Sequence, residues 1–449
     1  MRLAILTVLL AIAHVAGAQG GLWTSEGYGL FFDTNADTLR AYEVTSISCI
    51  PSFTAAAVPA PTGAVAAYRF TTAPVTVLLL RDQSPNGLRF HINGAASDVI
   101  LRRAARPSAC ERPTPNTPVS NFDVFATTWA EQYGFFDIKH ADWASIVAGN
   151  RPNVSDTTSD PTLFAVLRGM IEPLHDAHTY IGASDPNLRF SGFRPSPDRV
   201  PREQWDSAYA TVQRYLIGPL HTFCNGRLEF GMLRPDIGYL RIRGFSTYTP
   251  NGSFDDGLVA LEAALDTIFA GSASWRGFVT DVRINGGGAD PYGLAIASRL
   301  TAKDYIAYEK QARLDPKDPS RWTPGQVSWV RVSNRPGFRG PVVHLTSTHS
   351  VSAAETFTQA LMNRQPAVVR IGQNTQGVFS DVLGRHLPNG WRFGLPNERF
   401  VTNGKSYDGP GIPPMIVVPV FPPSDVASGR DGAIEKALEV LGATARTSR

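Results

Sequence analysis

Cysteine is scarce in this chain: Cys49, Cys110 and Cys224 are the whole supply in 449 residues. That excludes a disulfide-built miniprotein, and with no CxxC or Cys/His spacing there is no zinc-ligand motif. Charge is thin at 18% of residues and nearly balanced, with 42 Lys and Arg against 39 Asp and Glu. No nucleic-acid partner is expected, because such a binder concentrates basic charge on one face. Beyond the first eighteen residues no stretch is apolar enough to span a bilayer, which takes ~20 apolar residues. The glycine cluster Gly286–Gly288 is neither GxGxxG nor a P-loop, so it is no nucleotide signature. The 40 glycines and 34 prolines follow no collagen-like period and form no long polar tract, which excludes wholesale disorder.

The length allows two or three domains, each with a core of its own. Residues 1–18 read as a cleavable secretory signal. Arg2 precedes an apolar run from Leu3 to Val15, and the small residues Ala16, Gly17 and Ala18 offer a cleavage site before Gln19. The competing reading is a short membrane anchor, for which the run is too short. The expected location is therefore secreted or periplasmic, with no membrane span after cleavage. In an oxidising compartment one cysteine pair can close. Cys49 and Cys110 fall in the same N-terminal module and are the preferred pair; three buried thiols are the alternative.

Residues 19–110 are expected to form a small β-rich domain, a barrel or a sandwich. Short β-branched and aromatic runs such as AVAAYRFTT and VTVLLL are separated there by turn residues. Residues 111–121 are polar and Pro-rich and read as a linker. A helical subdomain follows over 122–200. Its clearest helix runs from Ser159 to His175, with Ser159 as cap and Pro161 in the first turn. Leu163, Val166, Leu167, Met170, Ile171 and Leu174 fall on one face at 3.6 spacing, which is a core stripe. Over 201–445 strands, tight loops and helices alternate, the pattern of a layered α/β domain. Expected elements are a strand over Gly277–Ile284 and helices over Leu258–Ala270, Pro291–Leu300 and Asp431–Leu441.

Four places in this pattern can carry chemistry. Ser350 and Ser352 lie between a buried strand and a helix, where free N–H groups favour developing negative charge. Either could instead simply cap the helix. Asn285-Gly286-Gly287-Gly288 follows a buried strand and can bring backbone N–H groups close to a bound anion, or form an ordinary turn. His178, just past a helix end, can be held firmly, and a neutral imidazole there could take a serine proton near pH 7. His175, three residues earlier, raises metal chelation, but partner ligands are not evident; His349 is a rival base close to Ser352 in sequence. Asp408, on a Gly/Pro turn before an apolar strand, can orient a histidine or merely form the turn.

Together the segments LHDAHTY, DVRINGGG, SVSAAETF, the NTQG turn after AVVRIG, and YDGPGIPP resemble the S41 serine peptidases, over roughly residues 115–445. That family includes the tail-specific and tricorn-core-like enzymes. The resemblance implies a layered α/β core of the crotonase/ClpP-like kind. In the tail-specific branch a lysine follows the Gly of a T-x-G turn. Here Val378 follows Thr375-Gln376-Gly377, and no lysine occurs between Lys317 and Lys405. The chain is instead similar to the His/Ser branch, with Asp176-Ala177-His178-Thr179 matching its histidine motif. The stretch from Ile181 to Asn225 is too short for the PDZ domain of many relatives.

The resemblance implies a serine-type peptidase acting on a peptide or protein through an acyl-enzyme. Ser352 would be the nucleophile, His178 the base and Asp408 its orienting carboxylate, where the family usually has the longer Glu. The oxyanion would be held by N–H groups of Gly287, Gly288 and Ala353. No metal and no organic cofactor is needed. Two rivals share the same residues: a catalytically weak protein holding an apolar ligand on this fold, and an esterase.

Overall fold

The computed structural model describes residues 20–72, 75–196 and 199–447. The signal sequence over 1–18 and its cleavage site lie outside the described residues.

The N-terminal module is a closed eight-stranded barrel, so the barrel alternative holds over the sandwich. Its strands, Gly21–Ser25 through Val99–Arg103, form an antiparallel meander. The first strand closes on the last, with Trp23 opposite Arg103, which leaves no strand edge open to another chain. Alternating residues fill the interior, among them Trp23, Phe32, Leu39, Tyr68, Val77 and Phe90. Cys49 and Cys110 are joined in a disulfide, and Cys224 is free and buried. The bridge closes a span of 61 residues, for which the chain-entropy model gives about 4 kcal/mol. The Cys49→Ser/Cys110→Ser double variant should lose up to about that much, read as a lower denaturant midpoint for the barrel.

Three helices follow, Pro118–Gln132, Trp143–Asn150 and Asp160–Ile171. The first begins inside the expected linker, because Thr117 caps it by accepting from the Ser120 N–H. The expected helix from Ser159 ends earlier than its apolar stripe. Pro173 lies in a 3-10 turn, Glu172–Leu174, and His175 adopts φ +47°. Ser159 sits at the N-cap, but its hydroxyl meets the Thr162 hydroxyl at 3.0 Å rather than a backbone N–H. The stripe is core as expected: Leu163, Leu167, Met170, Ile171 and Leu174 pack with Phe125 and Trp129.

The remaining segment is built on a seven-stranded sheet. Ile237–Ile242, Gly277–Asp281, Val342–Thr346, Val369–Gly372 and Ile416–Val417 run parallel in that order. The first three of these strands are buried on both faces, as central parallel strands under helices must be. Leu240, Ile242, Phe278 and Val342 face the helices Phe254–Phe269, Asp290–Ser298 and Ala353–Leu361. Ile237, Tyr239, Val279, Val343 and Leu345 face the last helix through Ala433, Ile434, Ala437 and Leu441. The expected strand over Gly277–Ile284 is interrupted. It ends at Asp281 and resumes as Ile284–Asn285, which pairs with His349–Ser350 outside the main sheet. The break accommodates Arg283, whose fully buried guanidinium turns back onto Asp281 at 2.6 Å and across to Asp431 at 2.8 Å.

Candidate active site

The two loops that leave the sheet at Asp281 and Thr346 run side by side. Ile284 pairs with His349 and Asn285 with Ser350, and the Val351 N–H donates to the Asn285 carbonyl at 3.0 Å. The glycine run is thereby laid against Ser352. A Cβ on Gly287 would stand 2.6 Å from Ser352 Cβ and 3.0 Å from the Ala353 nitrogen, so only glycine fits, at φ +90°. On Gly288, at φ +140°, a Cβ would collide with the Phe245 carbonyl. Gly287 differs from its two proposed companions in one respect. Its N–H is already donated to Asn285 Oδ1 at 2.8 Å and is not free for an oxyanion.

Ser352 occupies the N-cap position of the helix Ala353–Leu361 and forms a capping box with Glu355, but its backbone is not that of the other caps. Thr117, Asp142 and Ser253 cap their helices from extended backbone and accept an N–H with the side chain. Ser352 stands at φ +58°, ψ −122°, a conformation that costs of order 1–3 kcal/mol and recurs at functional sites. It also resembles the strained strand-to-helix turn on which nucleophilic serines are displayed. Ser350 is different in kind. It is fully buried, donates to the Val282 carbonyl at 2.8 Å and accepts the Ser347 N–H at 3.0 Å. It ties the two loops together.

Glu355, which the sequence offered only as part of a motif, clamps this turn. Its carboxylate accepts the Gly377 N–H at 2.6 Å, the Val378 N–H at 2.8 Å and the Ser352 N–H at 3.3 Å. The Ser352 N–H also donates to the Val378 carbonyl at 3.1 Å. The loop over 375–380 is thus bound directly to the backbone of Ser352. Burial outweighs the donors and pushes the Glu355 carboxyl up to about 7. A carboxyl raised in the folded state contributes stability below its unfolded pKa of ~4.3, and that contribution is lost as pH climbs through the folded value. The denaturant midpoint should therefore decline between about pH 4.5 and pH 7. Glu355→Gln should flatten that decline, and a slope unchanged in this variant would show that the carboxyl does not titrate there.

The same loop reaches His178. The imidazole is hydrogen-bonded to the Ser380 backbone, and its Nδ1 is buried without a partner. Burial pulls its pKa below the ordinary value, against the opposing pull of Asp176 and Asp381. The neutral, proton-accepting form is therefore favoured at neutrality. Asp176 fixes the turn: it accepts the His178 N–H at 3.0 Å and the Tyr133 hydroxyl at 2.8 Å. His175 is turned outward and its carbonyl accepts from Lys139. His349 points elsewhere. Its ring meets Trp205 edge-on, and burial beside Arg199 drives its pKa down to about 4.

Asp408 lies in the wall of a small cleft that it shares with Asp176, Val378 and Ser380. Its oxygens accept the Ser406 hydroxyl at 2.6 Å and the Phe379 N–H at 3.4 Å, and burial raises its carboxyl to about 7. Neither of those bonds goes to His178. One pair carried no sequence signal: the buried Lys310 donates to Asp381, the neighbour of Ser380 and 71 residues later in the chain, at 2.5 Å. Among the described residues no cluster of three or more His, Cys, Asp or Glu forms a metal site.

Residues 236–418 match the model of peptidase family S41. Family and fold together support a serine peptidase acting on protein or peptide. Among solved structures, a putative peptidase from Parabacteroides merdae ATCC 43184 is 26% identical at a TM-score of 0.61, covering 73% of this chain and 97% of that one. Mature CPAF complexed with lactacystin shares the fold at 12% identity and a TM-score of 0.54, covering 74% of this chain and 98% of its own. No curated protein matches the sequence.

Proposed function

We propose that the protein is an exported serine peptidase in which Ser352 attacks the scissile carbonyl, with His178 as general base. The observation that carries this reading is the strained backbone of Ser352 at a helix N-terminus, pressed against Gly287 and bonded through Val378 to the loop that holds His178. His178 takes the Ser352 proton and returns it to the leaving amine; water then hydrolyses the acyl-enzyme by the same steps. The Gly288 and Ala353 N–H groups hold the oxyanion, and losing one such donor costs ~10²–10³-fold in kcat. Asp408 is assigned to orient the imidazole across the cleft. It is one methylene shorter than the Glu usual in the family, which leaves space for a bridging water. Export is supported by the signal-like start and by the Cys49–Cys110 bridge, which suits an oxidising compartment.

The test is fluorophosphonate labelling of the mature protein with mapping of the adduct. A single adduct on Ser352 establishes an activated serine, and a peptide and ester panel then separates peptidase from esterase. A folded sample that takes no label across pH sinks the mechanism and favours a ligand-binding protein on this fold.

A further inference from the structure

One mouth of the N-terminal barrel is open. The strands run so that Gly21, Arg81 and Arg103 lie at the end away from Tyr28 and Asp98, through which the barrel meets Glu398 and Gln326. At that far end lies a cavity of about 560 Å³. Its wall comes from neighbouring strands of the closed barrel: Ala64–Phe70, Thr76–Arg81, Gly87–Ile92, Val99–Arg103 and Gly21–Ser25. Its floor is the barrel core, through Trp23, Ala66, Tyr68 and Leu79. An eight-stranded barrel is just wide enough for side chains to fill or for one small ligand to enter. This one is filled over part of its length by Phe32, Phe53 and Phe90, with Phe90 5.1 and 6.3 Å from the other two ring centroids, and none of the three lines the cavity.

The polar ends of the floor are engaged by the wall. The Trp23 indole N–H donates to Thr34 Oγ1 at 3.3 Å, and the Tyr68 hydroxyl to the Asn35 carbonyl at 2.9 Å. What these residues offer a ligand is ring surface. The rim carries charge. Arg81 ends its strand two residues after the buried Leu79 and stands opposite Leu88; Arg103 ends its strand two residues after the buried Leu101 and stands opposite Trp23. The period of two puts both arginines on the inward register. The Arg103 guanidinium lies over the Trp23 ring at 4.6 Å, in space that a Cβ on Gly21 would enter, 2.8 Å from its nitrogen. Among the described residues neither guanidinium has an ion pair or a hydrogen bond. Asp82 is the only acid in the wall, and Arg102 takes it at 2.5 Å while also holding Glu26 at 2.7 Å. Two cations without a counter-ion therefore stand at the mouth of an apolar cavity.

We propose that this mouth of the barrel is a binding site for an amphipathic carboxylate, with its apolar body seated on Trp23, Tyr68 and Leu79 and its carboxylate held at the rim by Arg81 and Arg103. The volume suits a small molecule, for which sites run from about 300 to 1,000 Å³. A guanidinium fork matches a carboxylate through two parallel hydrogen bonds. A neutral apolar ligand would leave both rim charges unused, and an amphipathic cation would meet two like charges. A free fatty acid and the C-terminus of a short apolar peptide share the required chemistry. The site is independent of Ser352 and His178, because it opens at the end of the barrel turned away from the contacts to Glu398 and Gln326.

The experiment is isothermal titration calorimetry of the whole mature chain with octanoate and, as the neutral match, octanol. Octanoate should bind at least about tenfold more tightly than octanol, the difference a charged hydrogen bond makes. Each methylene added between hexanoate and decanoate should tighten Kd about three- to fourfold if the chain is buried. Arg81→Gln and Arg103→Gln should each weaken octanoate about tenfold and leave octanol unchanged. Both arginines are exposed to solvent, so these variants keep the fold. Arg40→Gln is the control: Arg40 is exposed between the buried Leu39 and Ala41, on the outward register, and should change neither affinity. Acetylated phenylalanyl-leucine and its C-terminal amide, titrated into Ser352→Ala so that no cleavage is read as binding, distinguish the two sources. A fatty-acid site prefers octanoate; a peptide-terminus site prefers the free-acid dipeptide to octanoate and to the amide; either preference must be lost in the arginine variants. The proposal is overturned if a folded wild type binds neither acid, if octanol binds as tightly as octanoate, or if the Arg81→Gln/Arg103→Gln double variant keeps wild-type affinity. Octanoate binding in a chain that takes no fluorophosphonate leaves the barrel site standing without the peptidase mechanism, and labelling without octanoate or dipeptide binding gives the reverse.

Discussion

Ser352→Ala should abolish turnover, with a fall in kcat of roughly 10⁶-fold if it follows other serine hydrolases. What remains is the ~10³–10⁴-fold advantage over water that binding and the oxyanion site keep without a nucleophile. The strain argues for the size of the effect. A non-glycine residue at φ +58° is held there at a cost of order 1–3 kcal/mol, and an ordinary cap would relax to extended backbone. Ser350→Ala is the matched control, two residues away in the same motif. It loses its bonds to Val282 and Ser347, so it should lower stability by about 1–3 kcal/mol while the folded fraction still labels at Ser352. Peptide turnover and adduct mapping on both variants decide the matter. Equal activity in Ser352→Ala and the wild type, or loss of labelling in a folded Ser350→Ala protein, would reverse the assignment.

Arg283→Leu should be the most destabilising single change, by about 3–5 kcal/mol, because it strands two buried carboxylates. Arg283 is completely enclosed, lies over the Phe421 ring at 4.3 Å and bonds both Asp281 and Asp431. Asp281 has the Tyr239 hydroxyl as a further partner at 2.7 Å. The Arg283 carbonyl accepts from Ser347, a backbone bond that the variant keeps. Guanidinium unfolding gives the loss. Arg283→Lys should recover only part of it, since one ammonium cannot reproduce the forked contacts to two carboxylates. A loss below about 1 kcal/mol in Arg283→Leu would mean that Asp281 and Asp431 find other partners.

The catalytic motifs were legible because each is a short-range event. A buried strand running into NGGG, or into SVSAAE, writes its turn and the next helix within ten residues. The helix over Asp160–Ile171 was legible for the same reason, through its period of 3.6, but its end was misplaced. The apolar stripe continues to Leu174 while Pro173 and the φ of His175 stop the helix, and burial and backbone geometry are separate requirements. The strand over Gly277–Ile284 failed in the opposite way. Its burial is continuous, but Arg283 must turn inward to meet Asp281 and Asp431, and the strand breaks there.

By itself the sequence determined the class of the molecule: a β-rich module, then helices, then a layered α/β segment with a serine, a histidine and a glycine loop in S41 order. Periodicity and turn chemistry act over a few residues, so they survive in a linear reading. Only the tertiary structure decided that the meander closes as a barrel, by pairing Trp23 with Arg103. It alone separated a strained Ser352 from a tethered Ser350, took the Gly287 N–H for Asn285, and set Lys310, Asp381, Glu398 and Tyr28 in contact. Those contacts join positions up to 370 residues apart. Nothing in the local sequence of either partner encodes them; they exist because burial forces each charged group to find its complement once the domains are packed.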